Sequence, residues 1–113
     1  MTKSSLEVTD ELGGRNATHP RVSLQSMEEK IKAQYSFTIG EAVEALNVPV
    51  VDEVKLLTVC VLVMQNGFTV IGKSAPASPE NFDAEKGKTF AREDAIRQIW
   101  PLEGYALREK LAA

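Results

Sequence analysis

Residues 57–74 read Leu57-Thr58-Val59-Cys60-Val61-Leu62-Val63-Met64-Gln65-Asn66-Gly67-Phe68-Thr69-Val70-Ile71-Gly72-Lys73-Ser74, and the fold turns on how they are read. Leu57 to Met64 is rich in β-branched residues, Phe68 to Ser74 is a second such run, and Asn66-Gly67 lies between them. Asn-Gly flanked by apolar runs is the strongest short-range hairpin signal, because a type I′ turn requires positive φ at both central residues. The first run alternates poorly, so it also admits a buried helix ending at an Asn-Gly cap. The hairpin is the preferred reading.

Downstream, Ser74 to Pro79 holds two prolines and reads as a loop. Ser78 followed by Pro79 is a good helix entry, an N-cap hydroxyl before a proline at the first helical position, while Asn81 or Asp83 would cap a slightly later start. The helix is expected to run to about Trp100. Ala84, Gly87, Ala91 and Ala95 fall on one side of it and form a ridge of small residues. Gly87 costs about 1 kcal/mol against alanine inside a helix, and close packing would offset that. Lys88 and Arg92 share one flank; Lys86 and Arg97 share the other, where Glu93 stands four residues before Arg97. Pro101 should kink or break the helix at Trp100, leaving Leu102 to Leu111 as a shorter one. Trp100 and Tyr105 have the character of core or interface anchors.

Upstream, Ser23 is a candidate N-cap, and Leu24, Met27, Ile31 and Gln34 mark one face at helical spacing. Tyr35 and Phe37 are expected where the chain turns. Thr38-Ile39-Gly40-Glu41 fits a capping box, which would start a short helix through Leu46, ended by Asn47 and Pro49. Met1 to His19 is polar, with Leu6, Val8 and Leu12 isolated, and is expected to be a flexible N-terminal arm. The chain therefore reads as an arm, 1–19, and one α+β domain, 20–113. The domain would contain a β-hairpin, two short N-terminal helices and a longer, kinked C-terminal helix.

The 113 residues carry 13 basic and 16 acidic side chains, a net charge of −3, which does not supply the basic footprint of unspecific DNA binding. Cys60 is the single cysteine, flanked by Val59 and Val61, and reads as a small core hydrophobe rather than a reactive thiol. With one histidine, His19, there is little for a nucleophile–base pair to use. Dinucleotide, phosphate-loop, zinc-protease and nucleophile-elbow motifs are absent from the sequence. No enzyme activity, cofactor or metal is expected. The longest apolar run, Leu56 to Met64, is too short to span a bilayer, and no signal-peptide core is present, so a cytoplasmic location is expected.

Asn66-Gly67-Phe68, Ser78-Pro79-Glu80-Asn81-Phe82-Asp83, Gly87, Ala91, Ala95 and Ile99-Trp100-Pro101-Leu102-Glu103-Gly104-Tyr105 together resemble one family. It is the tailed-phage and prophage family named after gene product forty-nine of a lytic coliphage, the Gp49-like phage proteins. The resemblance covers about residues 54–111. Familiar members differ near Pro76, where proline stiffens the loop. The resemblance implies a phage or prophage accessory protein acting inside a bacterium, with no catalytic residues to carry over. By analogy of genomic setting, such proteins bind a host factor or counter a defence signal.

The expectation is thus a non-catalytic protein that binds a host protein or a small anionic ligand. Candidate binding residues are Ser78, Asn81, Lys86, Lys88, Arg92, Arg97, Trp100 and Tyr105, around a cleft at the loop 74–81 near the helix N-terminus. A homodimer is expected because an isolated two-stranded hairpin is marginal in water. Paired hairpins, or two small-residue ridges across a two-fold axis, would close the core. The alternative is a nucleic-acid-binding regulator using the two early helices with Arg15, Arg21, Lys30 and Lys32.

Overall fold

The computed structural model describes residues 3–113, and Met1 and Thr2 lie outside it. The hairpin forms as read: β2 (Thr58–Met64) pairs antiparallel with β3 (Thr69–Ser74), in register from Thr58↔Ser74 to Val63↔Thr69. The turn chemistry differs from type I′. Gly67 alone takes a positive φ, +89°, and Asn66 does not. The Gly67 N–H donates to the Met64 carbonyl at 2.9 Å, and the Met64 N–H donates to the Phe68 carbonyl at 2.8 Å. This is a tight turn closed by a left-handed glycine, as in a three-residue hairpin loop. The Asn66 side-chain oxygen accepts from the Phe68 N–H at 2.9 Å, which explains asparagine there.

A third strand corrects the N-terminal reading. The helix capped by Ser23 stops after six residues, α2 (Leu24–Glu29), and Ile31 to Thr38 form β1, antiparallel to β2. Ile31, Gln34, Tyr35 and Phe37 are therefore strand residues, neither helix face nor turn. The signal was present. Ile31, Ala33, Tyr35 and Phe37 alternate strictly with Lys32, Gln34, Ser36 and Thr38, a period of two. The sheet order is β1-β2-β3. With β2 paired on both sides within one chain, the hairpin is not isolated, and the sheet needs no second copy for completion.

Thr38 caps α3 (Ile39–Ala45), accepting from the Glu41 N–H at 3.2 Å. The reciprocal half of the expected box is replaced by a contact between the Thr38 hydroxyl and the Glu41 carboxylate. Asn47 takes φ +59° after the helix, the left-handed stop its residue type allows. A single turn, α4 (Asp52–Lys55), leads into β2.

The stretch expected as an arm contains α1 (Ser5–Gly14). Ser4 caps it, and Leu6 joins the core. The Asp10 carboxylate accepts from the Leu24 N–H at 2.9 Å and from Arg21 at 3.0 Å, which fastens α1 to the start of α2. Those two donors hold the Asp10 carboxyl below the usual carboxylate range, the Leu24 N–H most strongly.

Ser78-Pro79 opens a single 3-10 turn, Pro79–Asn81, and the long helix starts later. Asp83, the alternative cap, accepts from the Lys86 N–H at 3.0 Å and begins α5 (Ala84–Ala112). The two C-terminal helices expected on either side of Pro101 are one helix with Pro101 inside it. Proline here removes the hydrogen bond that the Arg97 carbonyl would accept, and the helix continues beyond it.

The small-residue ridge of α5 packs inside the molecule from Gly87 to Ala95, and Ala84 at its start is exposed. Ala91 and Ala95 are fully buried, and the helix backbone lies directly on Gly72 of β3; Gly87 lies on Thr58 of β2. The ridge is thus taken up by the chain's own sheet and offers no surface for a symmetric helix pair. Cys60, Leu62, Met64 and Val70 from the sheet meet Ala91, Ala95, Ile96 and Ile99 from α5, with Met27 and Leu6 closing one side. At 1.5 Å per residue the 29 residues of α5 reach about 43 Å, whereas a seven-residue strand reaches about 23 Å. The C-terminal turns of α5 therefore overhang the sheet.

Candidate binding site

The overhang borders a concavity. It lies between the hairpin turn and α5, with a volume of about 500 Å³. Met64 and Ile99, both buried core residues, form its floor; Phe68, Leu102 and Ala106 form its walls. Phe68 and Leu102 are 51% and 48% exposed, so each leaves about half of a large apolar side chain in water. Lys30, Gln65, Asn66 and Glu103 supply polar atoms around these walls, and the Lys30 ammonium pairs with the Glu103 carboxylate. The Gln65 N–H donates to the Lys30 carbonyl at 2.8 Å, tying the hairpin turn to the entrance of β1. The cleft is therefore built by three parts: the turn, the β1 entrance and α5.

A smaller cavity, about 170 Å³, occupies the place where the sequence predicts a ligand cleft. Asn81 and Lys86 line it with Thr58, Ser74 and Phe90, but Ser78 does not. The Ser78 hydroxyl donates instead to the Glu80 carboxylate at 2.6 Å, holding that carboxyl below its usual range. The Asp83 carboxylate already accepts from the first turn of α5, so the positive helix end carries the chain's own anion. The Thr58 hydroxyl oxygen is buried here without a hydrogen-bond partner, pressed against Gly87.

The remaining predicted residues do not converge. Lys88 lies 3.9 Å from Glu85 on its own helix. Arg92 reaches to β1 and α2, donating to the Gln34 side-chain oxygen at 2.8 Å and to Glu28 at 3.3 Å. Arg97 contacts the Ser5 hydroxyl of α1 and lies 3.9 Å from Glu93. The Trp100 indole N–H donates to the Val22 carbonyl at 3.2 Å, which makes the tryptophan a clamp on the segment before α2. Tyr105 is 70% exposed on the overhang. The two helices of the nucleic-acid alternative are separated by the whole of β1 and form no consecutive pair; Arg21 and Lys30 are engaged by Asp10 and Glu103.

Sequence reasoning missed the larger cleft because its walls are far apart in the chain. Yet two segments that carry the family resemblance meet there: Asn66 and Phe68 from one, Ile99, Leu102 and Glu103 from the other. No curated protein and no solved structure matches the chain. A family model does match, over residues 22–111, which takes in everything from the entrance of α2 to the end of the overhang. The chain belongs to the phage protein (N4 Gp49/phage Sf6 gene 66) family.

Proposed function

We propose that this is a non-catalytic phage accessory protein that binds a protein of the bacterial host through the cleft between the hairpin turn and α5. The observation that carries the reading is the half-exposed pair Phe68 and Leu102 standing over the buried Met64 and Ile99. Apolar side chains around a concave floor, rimmed by polar groups, are the anatomy of a protein-binding hot spot. Lys30 and Glu103, the ionisable residues lining the cleft, neutralise one another there, which suits an uncharged apolar anchor better than an anion.

Membership of a phage protein family supports looking for the partner among host-cell proteins, and a component of host defence is one such partner class. A small anionic signal is less well supported, because Lys88, Arg92 and Arg97 are spread over separate contacts and Asp83 occupies the helix end. No helix among the described residues is long and apolar enough to cross a membrane.

The test is site-specific photo-crosslinking in host cells. Leu102→p-benzoylphenylalanine should yield a discrete protein adduct, and the same replacement at the remote, exposed Glu53 should not. The adduct should disappear when Phe68→Asp is added. Equal adducts from both positions, or none from Leu102, would overturn the proposal.

A further inference from the structure

The two edges of the sheet are treated differently. On β3, the Lys73 N–H donates to the Asp94 carboxylate at 2.9 Å, and the Ile71 carbonyl accepts from the Gln98 side chain at 2.8 Å. Asp94 and Gln98 are one helical turn apart on α5, so helix side chains occupy one outward N–H and one outward C=O of that edge. Covering an edge this way blocks strand addition.

The other edge is β1. Backbone groups in a strand alternate in direction, so the outward-facing Ile71 and Lys73 fix the pattern across the register. Cys60 and Leu62 turn toward β3, Val59 and Val61 toward β1, and their partners Phe37 and Tyr35 turn back toward β2. Gln34 and Ser36 therefore point their backbone N–H and C=O outward. Among the described residues no hydrogen bond satisfies them. Tyr35, between them, is 57% exposed.

We infer that β1 pairs antiparallel with β1 of a second copy, about a two-fold axis at Tyr35, to give one continuous sheet across the dimer. In that register Gln34 of one copy exchanges both backbone hydrogen bonds with Ser36 of the other, and the reverse. Tyr35 faces its own symmetry mate as a non-hydrogen-bonded pair, the closest cross-strand arrangement, with Cα atoms about 4.5 Å apart.

The side chains fit this occupant. The Ser36 hydroxyl is buried without a partner. Ser36 shares the α5-facing side of the sheet with Gln34, since both pair with the core residues Cys60 and Leu62. A χ1 rotation that turns the Ser36 hydroxyl toward the open edge brings it, across the axis, to the Gln34 carboxamide, whose oxygen accepts from Arg92 while its amino group is left to donate. An isologous pair also ends growth, because both outer edges of the joined sheet are capped β3 strands.

The experiment is sedimentation equilibrium of the full chain with two variants. Ser36→Pro removes an outward N–H without touching the β1–β2 ladder, a position where an edge strand tolerates proline. Tyr35→Cys places two thiols across the axis within disulfide reach, and Ile71→Cys on the capped edge is its control. The wild type should sediment at twice the 12.4 kDa chain mass. Ser36→Pro should raise the dissociation constant at least tenfold, and mild oxidation should cross-link Tyr35→Cys but not Ile71→Cys. Should Ser36→Pro misfold by circular dichroism, the two cysteine variants decide alone. A monomeric wild type, or a dimer in which Tyr35→Cys stays uncross-linked, overturns the inference.

Discussion

Gly72 and Ala91 are packed backbone to backbone: a Cβ placed on Gly72 would lie 2.0 Å from the Ala91 carbonyl oxygen and 2.4 Å from the Ala95 nitrogen. The long helix rests on the sheet at this point. Gly72→Ala must push helix and strand apart, and neither neighbour is a flexible side-chain end. The expected loss is about 3 kcal/mol or more, at the upper end of overpacking costs. Urea unfolding measures it. Gly104→Ala is the counterpart: nothing lies within 4 Å of its Cβ, so the variant should gain about 1 kcal/mol from helix propensity.

Asp10 makes stability depend on pH in a definite direction. Its folded-state carboxyl titrates below the usual range, so its contribution is full above the unfolded-state pKa and is lost as pH falls through the folded-state value. Asp10→Ala should therefore be less stable than the wild type at neutral pH, and the difference should shrink as the medium becomes strongly acidic. Denaturant midpoints across that range check the sign. Amide exchange should also speed up in α1, which Asp10 joins to Leu24 and Arg21.

Leu62 and Leu102 separate core from cleft. Leu62 is fully buried in the central strand, and Leu62→Ala should cost about 3 kcal/mol. Leu102→Asp replaces a half-exposed side chain on the overhang and should lower the unfolding free energy by about 1 kcal/mol, well below the Leu62→Ala loss. That small cost makes Leu102→Asp a clean probe of partner binding.

Pro101 leaves the Arg97 carbonyl without its helical donor. Pro101→Ala restores that bond and should stabilise the protein by up to about 3 kcal/mol. Thermal unfolding reads the gain directly.

The hairpin, the Thr38 and Asn47 helix limits and the small-residue ridge were legible because each is a local pattern carried by neighbouring residues. β1 was misread for an instructive reason. Its apolar residues Ala33, Tyr35 and Phe37 point to the face opposite α5, while Gln34 and Ser36 face the core side. Leu24, Met27 and Ile31 then offered a competing helical spacing that continued past the true stop at Glu29. α1 escaped because its anchors are single residues, Leu6 and Asp10, with partners outside the segment. The purpose of the ridge was also hidden: small residues announce a close approach, but only the fold shows that Gly72 is what approaches. The cleft was the least legible feature. Phe68 and Leu102 stand 34 positions apart, and no periodicity connects a hairpin turn to the third turn before a helix end.

The proposed protein anchor in the cleft is open to a direct test. The most direct measurement is native mass spectrometry of the wild type and Leu102→Asp, each isolated under gentle conditions from host cells that express it. The wild type should carry a protein-sized adduct that is absent from Leu102→Asp. An adduct of a few hundred daltons that persists in Leu102→Asp and disappears in Lys86→Ala would contradict this and return the function to a small anionic ligand.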